Sequence, residues 1–252
     1  MLYLLRRQYF NVQAHFDYSL VLAYAFPQSI LAPLLPPALK VDTYQEEWGF
    51  VAVALVKVKG IRPTFLPSFM GNDLFLVGYR IFVRYDNPPH KRRRGLYVLR
   101  SYTDQWPMVL KGNLFTNYRY QHCRIEELQQ TQKVSIRLRS KSGEGDLLLR
   151  ANTDPAHQAL PLGSPFPDLK TARRFEGPMP FTFSYEAATH SYVIIHGRRS
   201  QWHPRPVEVL EADISLLRQA PFNQAAPLLA NAFIVEHIPY EWKKGVREKV
   251  SF

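Results

Sequence analysis

The residues best suited to chemistry crowd into one stretch, Gly95 to Ile125, which reads GLYVLRSYTDQWPMVLKGNLFTNYRYQHCRI. It contains Gln105, Lys111, Asn113, Asn117, Arg119, Tyr120 and His122. Arg119 offers a planar, permanently charged fork that suits a carboxylate. Asn113, Asn117 and Tyr120 carry groups that would orient a ligand held there, and Gln105 and Arg80 would help from neighbouring strands. Tyr120 or His122 is the acid–base candidate, and Lys111 is the lysine within reach for amine chemistry. Cys123 follows His122, but neighbours on a strand face opposite sides, so the two would not meet as a nucleophile–base pair. Cys123 reads instead as a small buried hydrophobe.

A second constellation lies in IIHGRRSQWHPRP. It reads either as a pocket built from His196, Arg198 and Trp202 or as a polar strand end stacked on an aromatic ring. No third partner stands ready for a metal beside His196 and His203, so no metal is expected. Phosphate-cradling glycine loops, dinucleotide fingerprints and nucleophile-elbow motifs are absent from the sequence, and no cofactor is expected.

These side chains need a scaffold of strands. Gly95–Tyr102 reads as extended. Asp104 would cap a helical turn carrying Pro107 in its first turn, with Trp106, Val109 and Leu110 on one apolar face and Gly112 at its end. Upstream, His15–Phe26 reads as a strand with Phe16, Tyr18, Leu20, Leu22 and Tyr24 on one face, followed by a short helix over Ile30–Leu35. Trp48–Val58 is apolar on both faces and should lie centrally in a sheet, ending where Lys59–Pro63 breaks it. Leu74–Tyr85 and Gly95–Tyr102 form a long hairpin, which places Arg80, Phe82 and Arg84 on one face. Val134–Leu138 and Asp146–Ala151 are shorter strands. A loop over Asn152–Asp168, a helix near Leu169–Phe175 and a hairpin of Phe181–Tyr185 with Ser191–Ile195 come next. Pro206–Ile214 reads as a strand, Phe222–Asn231 as a short helix and Phe233–Pro239 as a last strand, with Glu241–Lys249 as a charged surface tail. The pattern predicts an α+β chain whose mainly antiparallel sheet curls into a sandwich or partial barrel.

Composition narrows the classes. The chain has 252 residues, 46% of them hydrophobic, which suffices for one large core, and no clean break divides it, so one domain over 1–252 is expected. A single cysteine excludes an internal disulfide and a cysteine metal site. The apolar run Tyr18–Leu39 is interrupted by Pro27, Pro33, Pro36 and Pro37, too broken for a membrane helix. The opening MLYLLRRQYF places apolar residues before arginines, the wrong order for a signal peptide, so a cytoplasmic protein is expected. Net charge is +11, partly concentrated at His90-Lys91-Arg92-Arg93-Arg94 on a hairpin tip. That tip reads as a solvated turn or, alternatively, as a phosphate-binding patch.

The order of several short motifs resembles a family. Leu34-Leu35-Pro36, Gly60-Ile61-Arg62-Pro63, Gly95-Leu96-Tyr97, Gly112-Asn113 and Tyr118-Arg119-Tyr120 follow one another, then an IIHGRR strand and a closing P-Y-x-W. This is similar to the uncharacterised bacterial YqjF-like family, a distant relative of acetoacetate decarboxylase. The resemblance spans nearly the whole chain. It implies a cone-like barrel around a cavity, in which decarboxylases hold a Schiff-base lysine, a second lysine that depresses its pKa, carboxylates and an arginine. Residue by residue, the carry-over largely fails. The acidic positions fall on Gln105 and Asn113, the lysine pair falls on Arg119 and Tyr120, and the substrate-binding arginine falls near Asp17. Arginine keeps its proton and tyrosine forms no imine.

The expectation is therefore an internal cavity that binds a small organic acid or related metabolite without the lysine pair. One alternative is a lyase or hydrolase working through Lys111 or through Tyr120 or His122. Another is a basic nucleic-acid-binding or assembly protein, though no nucleic-acid module is present. Relatives of the decarboxylase kind assemble, so a homo-oligomer built on an exposed edge strand is a further expectation.

Overall fold

The computed structural model describes residues 2–87 and 92–250. In chain order the elements are α1 (Leu2–Leu5), β1 (Val12–Pro27), α2 (Gln28–Leu31), β2 (Leu39–Val41), β3 (Trp48–Pro63), β4 (Asn72–Tyr85) and β5 (Arg93–Thr103). Then come α3 (Trp106–Phe115), β6 (Tyr120–Gln130), β7 (Lys133–Ser140), β8 (Leu147–Asn152), α4 (Leu169–Glu176), β9 (Phe181–Glu186) and β10 (Ser191–Arg199). The chain closes with β11 (Arg205–Pro206), β12 (Glu208–Ile214), β13 (Leu228–Trp242) and β14 (Val246–Lys249). It is an α+β structure of many strands and few short helices, as the sequence predicts.

The strands join in the order β12-β8-β7-β6-β5-β9-β10-β13-β1-β3-β4-β2, and β4 also pairs with β5. That extra pairing closes β5, β9, β10, β13, β1, β3 and β4 into a ring. The ring is uneven, a partial barrel. Long antiparallel ladders join β1 to β13 and to β3. Two other seams are short: β5 meets β9 in parallel only over Gly95–Tyr97, and β10 meets β13 only over Gly197–Arg199. Gly95 is required at the first seam, because a Cβ there would stand 2.3 Å from the Phe181 carbonyl oxygen.

The ring strands carry different side chains on their two faces. One face is large throughout: Leu20, Leu22, Leu55, Tyr79 and Ile81 pack there with the strands β7 and β8. The other face is small at its middle, with Ser19, Ala52 and Ala54, and Gly78 lets the Arg80 guanidinium lie within 2.9 Å of where a Cβ would be. A close-packed interior leaves no voids by default, so small residues opposite one another are what keep a cavity open. Around that opening, Phe50, Phe82, Phe166 and Phe175 form an aromatic cluster with ring centroids 5.2 to 5.9 Å apart.

Several sequence expectations need correction. Phe16 leaves the face of Tyr18 and Leu20, because the register of β1 against β3 shifts between Phe16 and Tyr18. Such a bulge reverses the alternation, so Phe16 joins Ser19 and Val21 on the cavity face. β3 does not break at Lys59; it continues to Pro63 through an irregularity at Gly60, which sits at φ 59°. Only residues 222–224 form a helical turn, and the strand expected from Phe233 begins at Leu228. The supposed charged tail is the end of β13 plus β14, which pairs with β10.

Helix α3 departs most. Gln105, not Asp104, is its N-cap, and Asp104 Oδ1 accepts from Phe75 N. The helix runs through Gly112 to Phe115. Its expected apolar face is turned outward: Trp106 is 61% and Leu110 70% exposed. What it buries is Gly112, where a Cβ would lie 2.4 Å from the Tyr120 ring. Close approach through a glycine replaces the apolar stripe that the spacing suggests.

Candidate functional site: an arginine-lined cavity

The cavity has a volume of about 110 Å3, and every strand of the ring contributes to its lining. Its polar groups are Arg80 from β4, Arg199 from β10, Tyr240 from β13, Glu176 at the end of α4, Tyr118 from the segment before β6, and the hydroxyls of Ser19 from β1 and Thr182 from β9. Trp202 joins them from the loop after β10. Among the described residues no lysine lines it.

Arg199 is the last residue of β10 and lies over Trp202 at 4.3 Å from the ring centroid and near Tyr240 at 5.6 Å. Burial holds its guanidinium below the usual value, and the positive charge of Arg80 adds to that effect. Among the described residues neither Arg80 nor Arg199 forms an ion pair. Two like charges sharing a half-buried site without a counter-ion cost free energy that an anion would recover.

Glu176 is placed by α4, whose N-cap Asp168 accepts from Thr171 N at 2.7 Å. The helix buries Ala172 and Glu176, one turn apart. Asn231 Nδ2 donates to Glu176 Oε2 at 2.5 Å, whereas Oε1 is buried with no partner. Burial pushes this carboxyl up to about 8, opposed only by the Asn231 hydrogen bond. Burial therefore favours the neutral form of Glu176. The Tyr118 hydroxyl is likewise buried without a hydrogen bond of sound geometry, although Thr182 is a near neighbour.

Beside the cavity runs an open groove lined by Gln13, His15, Lys59, Arg62 and Arg198, and the two share Arg199 and Tyr240. Arg62 belongs to this groove; its guanidinium donates to the carbonyl oxygens of Leu66 and Gly60 at 3.2 and 2.9 Å.

The candidates from the sequence divide among three places. Arg80 lines the cavity, and Tyr120 is buried on the same side of the sheet. Asn113, Asn117 and Arg119 line a different, outer pocket of about 290 Å3 with Arg6, Ser184 and Tyr185. There the Asn113 side chain is fully engaged: Nδ2 donates to Tyr120 O and Oδ1 accepts from Tyr120 N, both at 2.8 Å. Arg119 has a left-handed backbone, φ 54°. That kink buries the flanking rings of Tyr118 and Tyr120 and leaves Arg119 exposed. Gln105, Lys111 and His122 lie elsewhere on the surface; His122 stacks on Trp106 at 4.4 Å, and its Nε2 lies 3.2 Å from Asp104 O.

The second constellation also separates. His196 is exposed and stacks on Phe181 at 5.0 Å, while Trp202 carries Arg199 rather than Arg198. Sequence reasoning missed Arg199, Glu176 and Tyr118. Alternation held the signal for Arg199, since Val193 and Ile195 face the cavity side and Arg199 continues their parity. In the hairpin tip, His90 and Lys91 lie outside the described residues. Arg92, Arg93 and Arg94 pair with Asp86, Glu248 and Asp42 at 2.9, 2.5 and 2.6 Å.

Among the described residues no group of three or more His, Cys, Asp or Glu could hold a metal ion, and no helix is long and apolar enough to cross a membrane. No curated protein sequence matches the chain significantly. Solved structures do share its fold. Acetoacetate decarboxylase from Legionella pneumophila subsp. pneumophila str. Philadelphia 1 superposes with TM-score 0.64 at 11% identity, over 94% of this chain and 86% of that one. An acetoacetate decarboxylase-like enzyme from Sphingomonas wittichii RW1 gives 0.60 at 13% identity, over 97% and 94%. The enduracididine biosynthesis enzyme MppR, complexed with pyruvate, gives 0.54 at 9% identity, over 96% and 90%. These superpositions establish a fold of the acetoacetate decarboxylase type, the architecture implied by the order of sequence motifs. A model of the DUF2071 family, described as an uncharacterized conserved protein, matches residues 13–237, and the chain therefore belongs to that family.

Proposed function

We propose that this chain binds a small organic acid in the cavity, with the carboxylate received by Arg80 and Arg199 and without an imine to the protein. The observation that carries this reading is the pair of guanidinium groups lining one small cavity with no ion-pair partner among the described residues. A volume of about 110 Å3 suits a compact ligand of roughly four to five non-hydrogen atoms, given that a cavity of about 150 Å3 takes benzene. The basic groove beside it would draw in anions. The enduracididine enzyme, similar in fold, has been solved with pyruvate, itself a compact carboxylate.

Imine chemistry finds no support, because Lys111 is exposed on α3 and no lysine lines the cavity among the described residues. An acid–base role for Tyr120 or His122 draws no support from their surroundings: the Tyr120 ring is buried against Gly112 and the His122 ring is stacked on Trp106. A nucleic-acid role through the hairpin tip is disfavoured by the carboxylates that Arg92, Arg93 and Arg94 already engage.

The test is a thermal-shift panel of short carboxylic acids beside their amides, with borohydride added to samples holding keto acids. Acids should stabilise the protein where amides do not, and the chain mass should stay unchanged after reduction. A reduced adduct on any lysine, or equal stabilisation by acid and amide, would overturn the reading.

A further inference from the structure

Binding of a carboxylate by the two arginines leaves the Glu176 carboxyl, like the Tyr118 hydroxyl, as a buried polar group of the lining with an unpartnered oxygen. Glu176 is 4% exposed and lines the cavity. Its oxygen Oε2 is occupied by the Asn231 amide, which donates to it. A carboxyl oxygen that accepts from an N–H is the carbonyl-like one, so the proton of the neutral acid belongs on Oε1. That is the oxygen with no partner. The buried acid thus holds an unspent hydrogen-bond donor at a cavity wall, and an unspent buried donor is costly unless a ligand or water meets it.

We infer that Glu176 donates a hydrogen bond from Oε1 to a second, uncharged acceptor oxygen of the ligand, so that the cavity selects acids carrying a carbonyl, ester or ether oxygen over plain alkanoic acids. The inference rests on the carboxylate reading above. The arginines are not what hold Glu176 in its state: burial and Asn231 account for its shift, and neither Arg80 nor Arg199 contributes.

The groups packed around Glu176 define what else could titrate. Arg80, Arg199, Tyr118 and Tyr240 share the lining with it. Arg94 of β5 donates to the carbonyl of Phe175, the residue before it, at 2.7 Å, and Asn231 faces it from β13. Arg173 and Arg174 of its own helix are exposed. Guanidinium groups keep their charge across the working range, and burial raises the Tyr118 hydroxyl well above it. Glu176 is thus the cavity acid whose ionisation falls near neutral pH, and on ionising it loses its donor and adds a negative charge beside an anionic ligand.

The experiment is titration calorimetry of the intact chain with chain-length-matched pairs, an alkoxy acid against the plain alkanoic acid, from pH 6 to pH 9.5. The wild type should prefer the alkoxy acid roughly tenfold below pH 7, a factor typical of one hydrogen bond, and lose the preference above pH 9. Glu176→Gln keeps a donor at every pH and should keep the preference at high pH. An infrared difference spectrum of the wild type supplies a readout free of any variant: the band of a protonated buried carboxyl should shift on adding the alkoxy acid and stay in place with the alkanoic acid. Binding of both acids with equal affinity, or a preference unchanged by pH in the wild type, would overturn the role of Glu176 and leave the arginine site standing. No binding of either acid at any pH would overturn the arginine site, and Glu176 with it.

Discussion

The inner cavity and the outer pocket resemble each other in content and differ in how their polar groups are spent. Each has two arginines, Arg80 and Arg199 inside, Arg6 and Arg119 outside. The outer pocket is the larger, about 290 against 110 Å3. Yet its amide is committed to the fold: Asn113 pairs with both backbone groups of Tyr120, and Arg6 Nε donates to the Asn113 carbonyl at 3.1 Å. Inside, Glu176 Oε1 is buried with no partner and the Tyr118 hydroxyl has no hydrogen bond of sound geometry among the described residues; Arg80 and Arg199 form no ion pair there, a condition that Arg6 and Arg119 share outside. A region that has used its hydrogen bonds on its own backbone is scaffold; one that keeps them unmet in a dry place is a site awaiting a ligand. Substitutions should then have opposite consequences: inside, stability of the ligand-free protein gained, with acid binding lost where an arginine is removed; outside, stability lost and binding kept.

The largest effect expected is at Glu176. Burial lifts its carboxyl from an ordinary 4.5 to about 8. Below the lower value both folded and unfolded chains are protonated, so the group contributes no difference. As pH rises between the two values the unfolded chain releases the proton and the folded chain does not, so stability falls until the pH passes about 8. Glu176→Gln removes that dependence. Its unfolding free energy should exceed that of wild type by about 3 kcal/mol near pH 7 and match it near pH 4. Equal stability of the two proteins across this range in chemical denaturation would refute the buried neutral acid.

Next come the outer substitutions, with the reverse sign. Asn113→Ala leaves the amide and carbonyl of Tyr120 unpaired at the start of β6 and should cost about 2 kcal/mol. Gly112→Ala sets two effects against each other. Alanine gains about 1 kcal/mol in helix propensity, but its Cβ would fall 2.4 Å from the Tyr120 ring, and overpacking costs roughly 1–3 kcal/mol. The clash should win, giving a net loss on heating. Neither change should alter acid binding per folded molecule; a tenfold loss for Asn113→Ala would erase the distinction between scaffold and site.

A smaller gain is expected at Arg199. Arg199→Met keeps the stacking volume against Trp202 and relieves the repulsion with Arg80. The ligand-free protein should become more stable by about 1 kcal/mol, while acids should cease to stabilise it. Loss of stability without ligand would mean that the Arg199 charge is already compensated, by a counter-ion or by the faces of Trp202 and Tyr240.

How much of this was legible in the sequence follows from the range of the signals. Alternation along β4 put Arg80 and Phe82 on one face, as found, and the hairpin of β4 with β5 was readable from turn residues and β-branched runs. Long-range geometry was not. The bulge before Tyr18 moved Phe16 to the other face with no local mark beyond Asp17 itself. Local helical spacing gave α3 an inward apolar face, but Gly112 docks against Tyr120 and leaves Trp106 and Leu110 exposed. Polar density drew attention to Asn113–His122, although density alone does not tell a group bonded to its neighbour from one that is free. Glu176 sits in a run, LKTARRFE, that reads as a charged helix; only the i, i+4 relation to Ala172 hinted that it turns inward.

The smallest predicted effect bears most directly on whether the cavity is dry. Tyr118 and Tyr185 each carry a hydroxyl, one on the cavity and one on the outer pocket. That of Tyr185 meets His190 Nδ1 at 3.2 Å in an exposed setting, so Tyr185→Phe exchanges a weak surface bond for water and should change stability little. The Tyr118 hydroxyl is buried and unpartnered. An unmet buried polar group costs free energy, so Tyr118→Phe should stabilise the ligand-free protein by roughly 0.5 kcal/mol. A loss of similar size would mean that the hydroxyl is already satisfied, by the neighbouring Thr182 or by a bound water. Where water is that partner, binding of an acid must first displace it, and the preference for a second oxygen on the ligand should be weaker than the unmet donors imply.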